Sequence, residues 1–252
     1  MKDCFSIAGR RFLITGGTRG IGRAISLQFA RAGATVVANF ARNTEQAERL
    51  ASQARKESID IRLLRADLTS KKGLDQVESY IEDIIPLSGL VHCAATGVHK
   101  PFSELTTRHL KWVFALNVEA FFELVQRLRK MFETGASIVA VSSQGARQAV
   151  PFYTLVGASK GAVDSMARHL AAELAPEGIR VNILSPGTVL TEAWESMPEK
   201  EQRINEARKR SPIGRLVSPE EVAQAAQFLC SDAAQGMVGH RLVVDGGAGI
   251  VQ

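Results

Sequence analysis

The segment Thr15-Gly16-Gly17-Thr18-Arg19-Gly20-Ile21-Gly22 follows an apolar run and leads into Arg23-Ala24-Ile25, so its glycines mark a turn from strand to helix. Glycine lets the backbone approach a ligand closely, and a helix N-terminus offers unpaired N–H groups at the positive end of a dipole. The chemistry such a turn serves is the binding of a pyrophosphate. The spacing is Gly-x-x-x-Gly-x-Gly, which differs from the Gly-x-Gly-x-x-Gly of many dinucleotide enzymes. The alternative is a tight turn without a ligand. The next apolar run reads Val36-Val37-Ala38-Asn39-Phe40-Ala41-Arg42, and it lacks the carboxylate that would accept both ribose hydroxyls of NAD. Arg19 and Arg42 are guanidinium groups suited to a 2'-phosphate, and NADP(H) is the expected cofactor. The plainer reading of either arginine is a solvated surface charge.

Such a turn needs a strand before it, a helix after it and a sheet to fix both. Short β-branched or aliphatic runs fall at 12–15, 35–39, 61–65, 89–94, 137–142, 180–185 and 241–244. Amphipathic stretches fall between them at 22–32, 45–57, 74–85, 105–132, 154–175 and 219–231, several opened by Ser or Thr caps. This rhythm predicts an α/β fold, a doubly wound Rossmann domain with a seven-stranded parallel sheet and helices on both faces. No linker or repeat interrupts it, and 1–252 reads as one domain. The polar stretch 187–212 contains a helical pattern over 199–210 and follows a strand whose carboxyl end faces the ligand crevice. It is expected to be a substrate lid, the alternative being a surface excursion.

Composition excludes other classes. With 45% hydrophobic and 23% charged residues the chain has material for a large core. Lys and Arg exceed Asp and Glu by 31 to 26, a mild excess spread along the chain, and aromatic residues are only 6%. A nucleic-acid surface would need a basic stripe interleaved with aromatics. Cys4, Cys93 and Cys230 have neither disulfide nor zinc spacing, so no metal is expected and a reducing cytoplasm fits. The absence of a signal core or spanning run predicts no membrane association.

Further motifs agree with one another: Ala66-Asp67-Leu68, Leu116-Asn117-Val118, Ser143, Lys160, Pro186-Gly187 with Thr191, and Asp245-Gly246-Gly247. Together with the glycine turn, nearly the whole chain resembles the short-chain dehydrogenase/reductase family. The resemblance implies cofactor contacts at Gly16, Thr18, Arg19, Gly20, Ile21, Gly22, Asn39, Ala41, Arg42, Asp67, Leu68, Ala94, Ala95, Asn117, Lys160, Pro186, Gly187, Val189 and Thr191. It implies catalysis by Tyr153 and Lys160 with Ser143 as a secondary group, and a homotetramer built on the long helices 105–132 and 154–175; a dimer is the alternative. His92-Cys93-Ala94-Ala95 departs from the Asn-Asn-Ala-Gly common there, and His92 and Cys93 read as core fillers rather than a nucleophile and its base.

Carbonyl-reducing members carry a tyrosine four residues before the lysine, where this chain has Val156. The nearest phenol is Tyr153, a Tyr-x6-Lys spacing that resembles enoyl-thioester reductases, as does Ala149-Val150-Pro151. Seven residues at 100° each return to the same helix face, while the axial separation grows from about 6 Å to about 10.5 Å. In enoyl reduction hydride enters Cβ, three bonds from the carbonyl oxygen, so the group stabilising that oxygen stands farther off.

The expected reaction is therefore reduction of trans-2-enoyl thioesters of coenzyme A or an acyl carrier protein, in fatty-acid or related synthesis. Tyr153 would hold the developing enolate oxygen, and Lys160 would bind the nicotinamide ribose. The alternatives are a 3-ketoacyl or other carbonyl reductase and, in another class, an NADP(H)-binding regulatory protein without turnover. Lys200, Arg203, Arg208, Lys209 and Arg210, interrupted by Glu199, Glu201 and Glu206, read as a solvated helix face; the sharper reading is a docking surface for an acidic carrier protein.

Overall fold

The computed structural model describes residues 3–192 and 199–251. Residues 193–198 of the expected lid lie outside the described residues. Seven parallel strands form one sheet: β1 (Arg11–Thr15), β2 (Thr35–Phe40), β3 (Ile61–Arg65), β4 (Leu87–His92), β5 (Phe132–Val141), β6 (Arg180–Pro186) and β7 (Arg241–Val244). Their order is β3-β2-β1-β4-β5-β6-β7, with β1 paired in register to both β2 and β4. The helices are α1 (Gly20–Arg31), α2 (Thr44–Glu57), α3 (Lys71–Glu82), α4 (Thr107–Phe114), α5 (Ala120–Leu128), α6 (Thr154–Leu174), α7 (Lys200–Arg210) and α8 (Pro219–Cys230). The predicted α/β architecture is the one observed.

Alternation along each strand splits the core between the two faces. Leu13, Val37, Leu90, Ile138 and Ile183 meet α3, α5 and α6 through Val77, Ile81, Phe121, Leu124 and Val163. Phe12, Ile14, Val36, Val139 and Leu184 meet α1, α2 and α8 through Ile25, Phe29, Leu50, Val222 and Leu229. Strands β1, β2, β4, β5 and β6 are thereby covered on both faces, which fixes where their carboxyl ends emerge.

Two expectations change. The single helix over 105–132 is α4 and α5 joined by a π-turn, Ala115–Glu119, followed by a 3-10 turn and a β5 that begins at Phe132. A π-turn admits one extra residue per turn and breaks the 3.6-residue rhythm locally. The fourth strand begins at Leu87 and ends at His92, so Cys93 and Ala94 leave the sheet and enter the crevice wall.

The order of strands reverses between β1 and β4, and there a single hydroxyl ties the two together. Thr15 Oγ1 accepts hydrogen bonds from the N–H groups of Cys93 and Ala94, each at 3.1 Å, and meets His92 Nδ1 at 3.0 Å. Burial, reinforced by the Lys160 charge, pushes His92 down to about 3, so this imidazole is neutral. With the Thr15 oxygen occupied by two amides, its proton goes to Nδ1. His92 is therefore a structural member of the clasp, in line with its reading as a core residue.

Candidate active site

A crevice of about 570 Å3 opens at the carboxyl ends of β1 and β4, where ligands bind in sheets of this winding. One half follows the ends of β2 and β3, and the other reaches Val141, Ser142, Tyr153 and Lys160.

The first half is backbone. Gly16 has φ +61°, and a Cβ there would stand 3.0 Å from Ala94 Cα; at Gly22 a Cβ would stand 2.2 Å from the Gly16 carbonyl oxygen. The turn thus folds back on itself as only glycine permits. Side chains of Asn43, Ser70, Thr106 and Ser218 cap α2, α3, α4 and α8, whereas Arg19 makes no capping hydrogen bond at α1 and its first turn holds no acid. Gly20, Ile21 and Gly22 line the crevice with those uncapped donors. An uncapped, acid-free helix start beside close glycines fits the diphosphate of a dinucleotide. Asn39 is buried, its Nδ2 spent on the Leu64 and Ala66 carbonyls at 3.3 and 3.0 Å, while Arg19 and Arg42 are exposed on the crevice wall. Asp67 is held below its ordinary range by hydrogen bonds from Thr69, 2.7 Å from the hydroxyl and 3.0 Å from the amide.

The second half is made of side chains. Phe152 adopts φ +59°, a costly conformation for a bulky residue, and Tyr153 follows as the N-cap of α6 rather than as a residue within it. The helical separation anticipated for Tyr153 and Lys160 therefore does not apply. The Tyr153 hydroxyl donates to Ser143 Oγ at 3.3 Å, and its ring lies on Gly145, where a Cβ would stand 2.5 Å from it. Burial raises the phenol above its usual value against the opposing Ser143 hydrogen bond, so the group is a protonated donor. Val156 fills the position one turn before Lys160; it is buried, and its Cγ2 closes over Gly97.

Lys160 is buried, donates to the Val141 carbonyl at 2.7 Å, and is lowered by burial to about 8, with Cys93 and Asp164 opposing that shift. It retains its charge at neutral pH. Cys93, raised to about 12 by burial, is an unreactive wall residue. Asn117 sits on the π-turn, fully buried: its Oδ1 accepts from Thr96 N at 2.8 Å and its Nδ2 donates to Thr96 O at 3.0 Å and Ser159 Oγ at 2.9 Å. It ties the loop after β4 to α6, so its effect on the crevice passes through those two elements.

Of the anticipated residues, Gly16, Thr18, Arg19, Gly20, Ile21, Gly22, Asn39, Ala41, Arg42, Asp67, Leu68, Ala94, Ala95, Tyr153, Lys160 and Thr191 line the crevice. Ser143 is half-buried beside Tyr153 and accepts hydrogen bonds from that phenol and from the Gly145 amide. Pro186 and Gly187 pair with Val244, and Val189 bridges to Val217.

The basic helix departs from its reading as a solvated face at one of its five cations. Lys200, Arg208, Lys209 and Arg210 are exposed, but the Arg203 side chain is only 16% exposed and its guanidinium lies 5.3 Å from the Phe152 ring. Two other contributors had no sequence signal. The His99 ring lies 5.6 Å from that of Tyr153, and Arg241 holds the Ser143 carbonyl at 2.9 Å and Ser185 Oγ at 2.6 Å while its Nε stands 3.2 Å from Asp164.

A family model described as enoyl-(acyl carrier protein) reductase matches residues 16–249. The chain is 32% identical over 246 residues to 1-cyclohexenylcarbonyl-CoA reductase of Streptomyces collinus, spanning 95% of this chain and 86% of that one. It is 33% identical over 251 residues to 7alpha-hydroxysteroid dehydrogenase of Escherichia coli K12, spanning 98% and 96%. A solved gluconate 5-dehydrogenase from Burkholderia cenocepacia J2315, in complex with NADP and tartrate, superposes with a TM-score of 0.91 at 29% identity over 99% of both chains.

Proposed function

The chain belongs to the short-chain dehydrogenase/reductase family, whose members are nicotinamide-dependent oxidoreductases, and from that premise we propose that it is an NADPH-dependent reductase of trans-2-enoyl thioesters. The observation that carries this reading is the exchange at α6. The position one turn before Lys160 is a buried Val156, and the phenol enters from the N-cap, Tyr153. A relative named 1-cyclohexenylcarbonyl-CoA reductase supports it.

When bound, NADPH supplies the hydride that saturates Cβ. The uncapped start of α1 holds the diphosphate, and Arg19 and Arg42 receive the 2'-phosphate where β2 ends without a carboxylate. Lys160, charged and buried, binds the ribose next to the nicotinamide and sets a positive potential at the crevice floor. The Tyr153 hydroxyl turns from Ser143 to the thioester oxygen and donates a hydrogen bond to the enolate as its charge develops. Protonation at Cα completes the reaction. The whole chain acts as one catalytic domain, with 187–212 as its lid; coenzyme A or a carrier protein delivers the acyl chain in cytoplasmic fatty-acid or related synthesis. Exposed Phe122 on α5 supports pairing of subunits within the expected homotetramer.

A second reading, reduction of a 3-ketoacyl or other carbonyl, is favoured by the Tyr153–Ser143 hydrogen bond, which presents two hydroxyls to one oxygen. NADPH oxidation with crotonyl and acetoacetyl thioesters separates the two: turnover of crotonyl alone supports the first, of acetoacetyl alone the second. NADPH binding without turnover on either identifies a regulatory binder.

A further inference from the structure

Two nitrogen atoms at the Phe152–Tyr153 corner, beside the crevice-lining Tyr153, are buried without a hydrogen-bond partner among the described residues: Arg203 Nε and His99 Nε2. Leaving such groups unbonded is costly, so each calls for a partner from outside the chain, a water, an ion or a ligand. The two belong to elements distant in sequence that converge on the same pair of residues. Arg203, on α7, lies over the ring of Phe152, and His99, in the loop after β4, lies against the ring of Tyr153. The Arg203 charge is near enough to help depress His99, after burial, so His99 is neutral beside it. The nearest carboxylate among the described residues, Glu199 Oε2, stands 3.9 Å from Arg203 Nε on a side chain that is 61% exposed, too far for a hydrogen bond and free to yield to a better acceptor. A guanidinium pinned by an aromatic face beside a neutral imidazole is an oxyanion receptor, with a planar set of donors and a hydrogen-bonding ring to flank it.

We propose that Arg203 and His99 receive an anionic group of the substrate's acyl portion, a carboxylate or phosphate carried a few bonds from the reducible carbon. Phe152 and Tyr153 are adjacent in the chain, so the receptor lies beside the reacting centre, whereas the phosphates of coenzyme A or of a carrier's prosthetic arm lie at the far end of a long pantetheine chain. The inference rests on the reading of Tyr153 as the substrate-facing donor and adds the substrate's charge to it. It also reassigns Arg203 from a carrier-docking face to substrate selection.

The test pairs the N-acetylcysteamine thioester of trans-2-hexenedioate, which has a free distal carboxylate, with its methyl ester. The wild type should show a KM for the acid at least tenfold below that for the ester, because a charge-assisted pair is worth about tenfold to a hundredfold in binding. Arg203→Gln should bring the ratio near unity, and Arg203→Lys, which keeps the charge, should retain most of it. A wild-type ratio of one overturns the proposal. So does a Gln variant in which both KM values move together, the signature of a helix that merely packs. Crotonyl-CoA against crotonyl-N-acetylcysteamine separates the sources of the anion: an Arg203-dependent preference confined to the coenzyme A form overturns the acyl assignment. If neither thioester is turned over, the function proposed above fails independently. The receptor is then read by titrating the NADPH complex with adipate and with dimethyl adipate, followed by nicotinamide fluorescence. Tighter binding of adipate that is lost in Arg203→Gln supports the receptor, and equal binding overturns it.

Discussion

The two halves of the crevice are built from different materials. The half under β1, β2 and α1 is backbone: glycines too close for a Cβ and a helix start without a cap. The half under β5, α6 and α7 is side chain: Tyr153 aimed by a left-handed Phe152, Lys160 on a carbonyl, Arg203 over an aromatic ring. Backbone recognition depends on local chain geometry and serves one constant ligand. Side-chain recognition depends on which distant elements meet, and exchanging one residue there redirects chemistry without disturbing the first half.

The division predicts that damage separates by half. The largest effect is expected from Tyr153→Phe, which removes the donor to the developing oxyanion; kcat with a crotonyl thioester should fall by about 100- to 1,000-fold with NADPH affinity retained. Stopped-flow and equilibrium titration check it, and an equal loss in both quantities would break the division. Gly22→Ala should do the reverse. Its Cβ would stand 2.2 Å from the Gly16 carbonyl, and displacing the turn should cost about 100-fold in kcat/KM through NADPH binding, with a lowered melting temperature. Arg42→Gln should reduce the preference for NADPH over NADH by about tenfold to a hundredfold, measured as the ratio of kcat/KM values. An unchanged ratio would remove Arg42 from the 2'-phosphate.

The smallest effect is one of pH. Burial lowers Lys160 to about 8, and in the proposed reaction its cationic form is the one that would support the developing negative charge. Raising the pH through 8 removes that charge, so kcat should fall about tenfold between pH 7 and pH 9. Lys160→Gln should abolish this limb. A wild-type profile flat over the interval would place the lysine's contribution in binding alone.

The same contrast decides what was legible in the sequence. The glycine turn, the strand rhythm and the missing acid near Asn39 are local signals, and the sheet and the first half of the crevice follow from them. The second half was legible only as far as Tyr153, Val156 and Lys160, which lie within a single turn-and-helix segment. Arg203 belongs to a helix whose one buried residue is Ile204, and its periodicity gives no hint that one cation turns inward. His99 has no motif around it, since its partner is supplied by the start of α6. Asn117 was found by resemblance, but the π-turn that carries it was not, because hydrophobic periodicity averages over one inserted residue.

That inserted residue bears on how the chain can vary. Deleting one position of Ala115–Glu119 would restore an ordinary helical coil that completes the same turn with one residue fewer, so the helix beyond it would keep its face. Phe121, Leu124 and Val125 would stay against the sheet, and the Asn117 brace between Thr96 and Ser159 would part. The extra residue is therefore held by one amide and not by the core, and descendants of the chain should keep the longer turn for as long as they keep that amide.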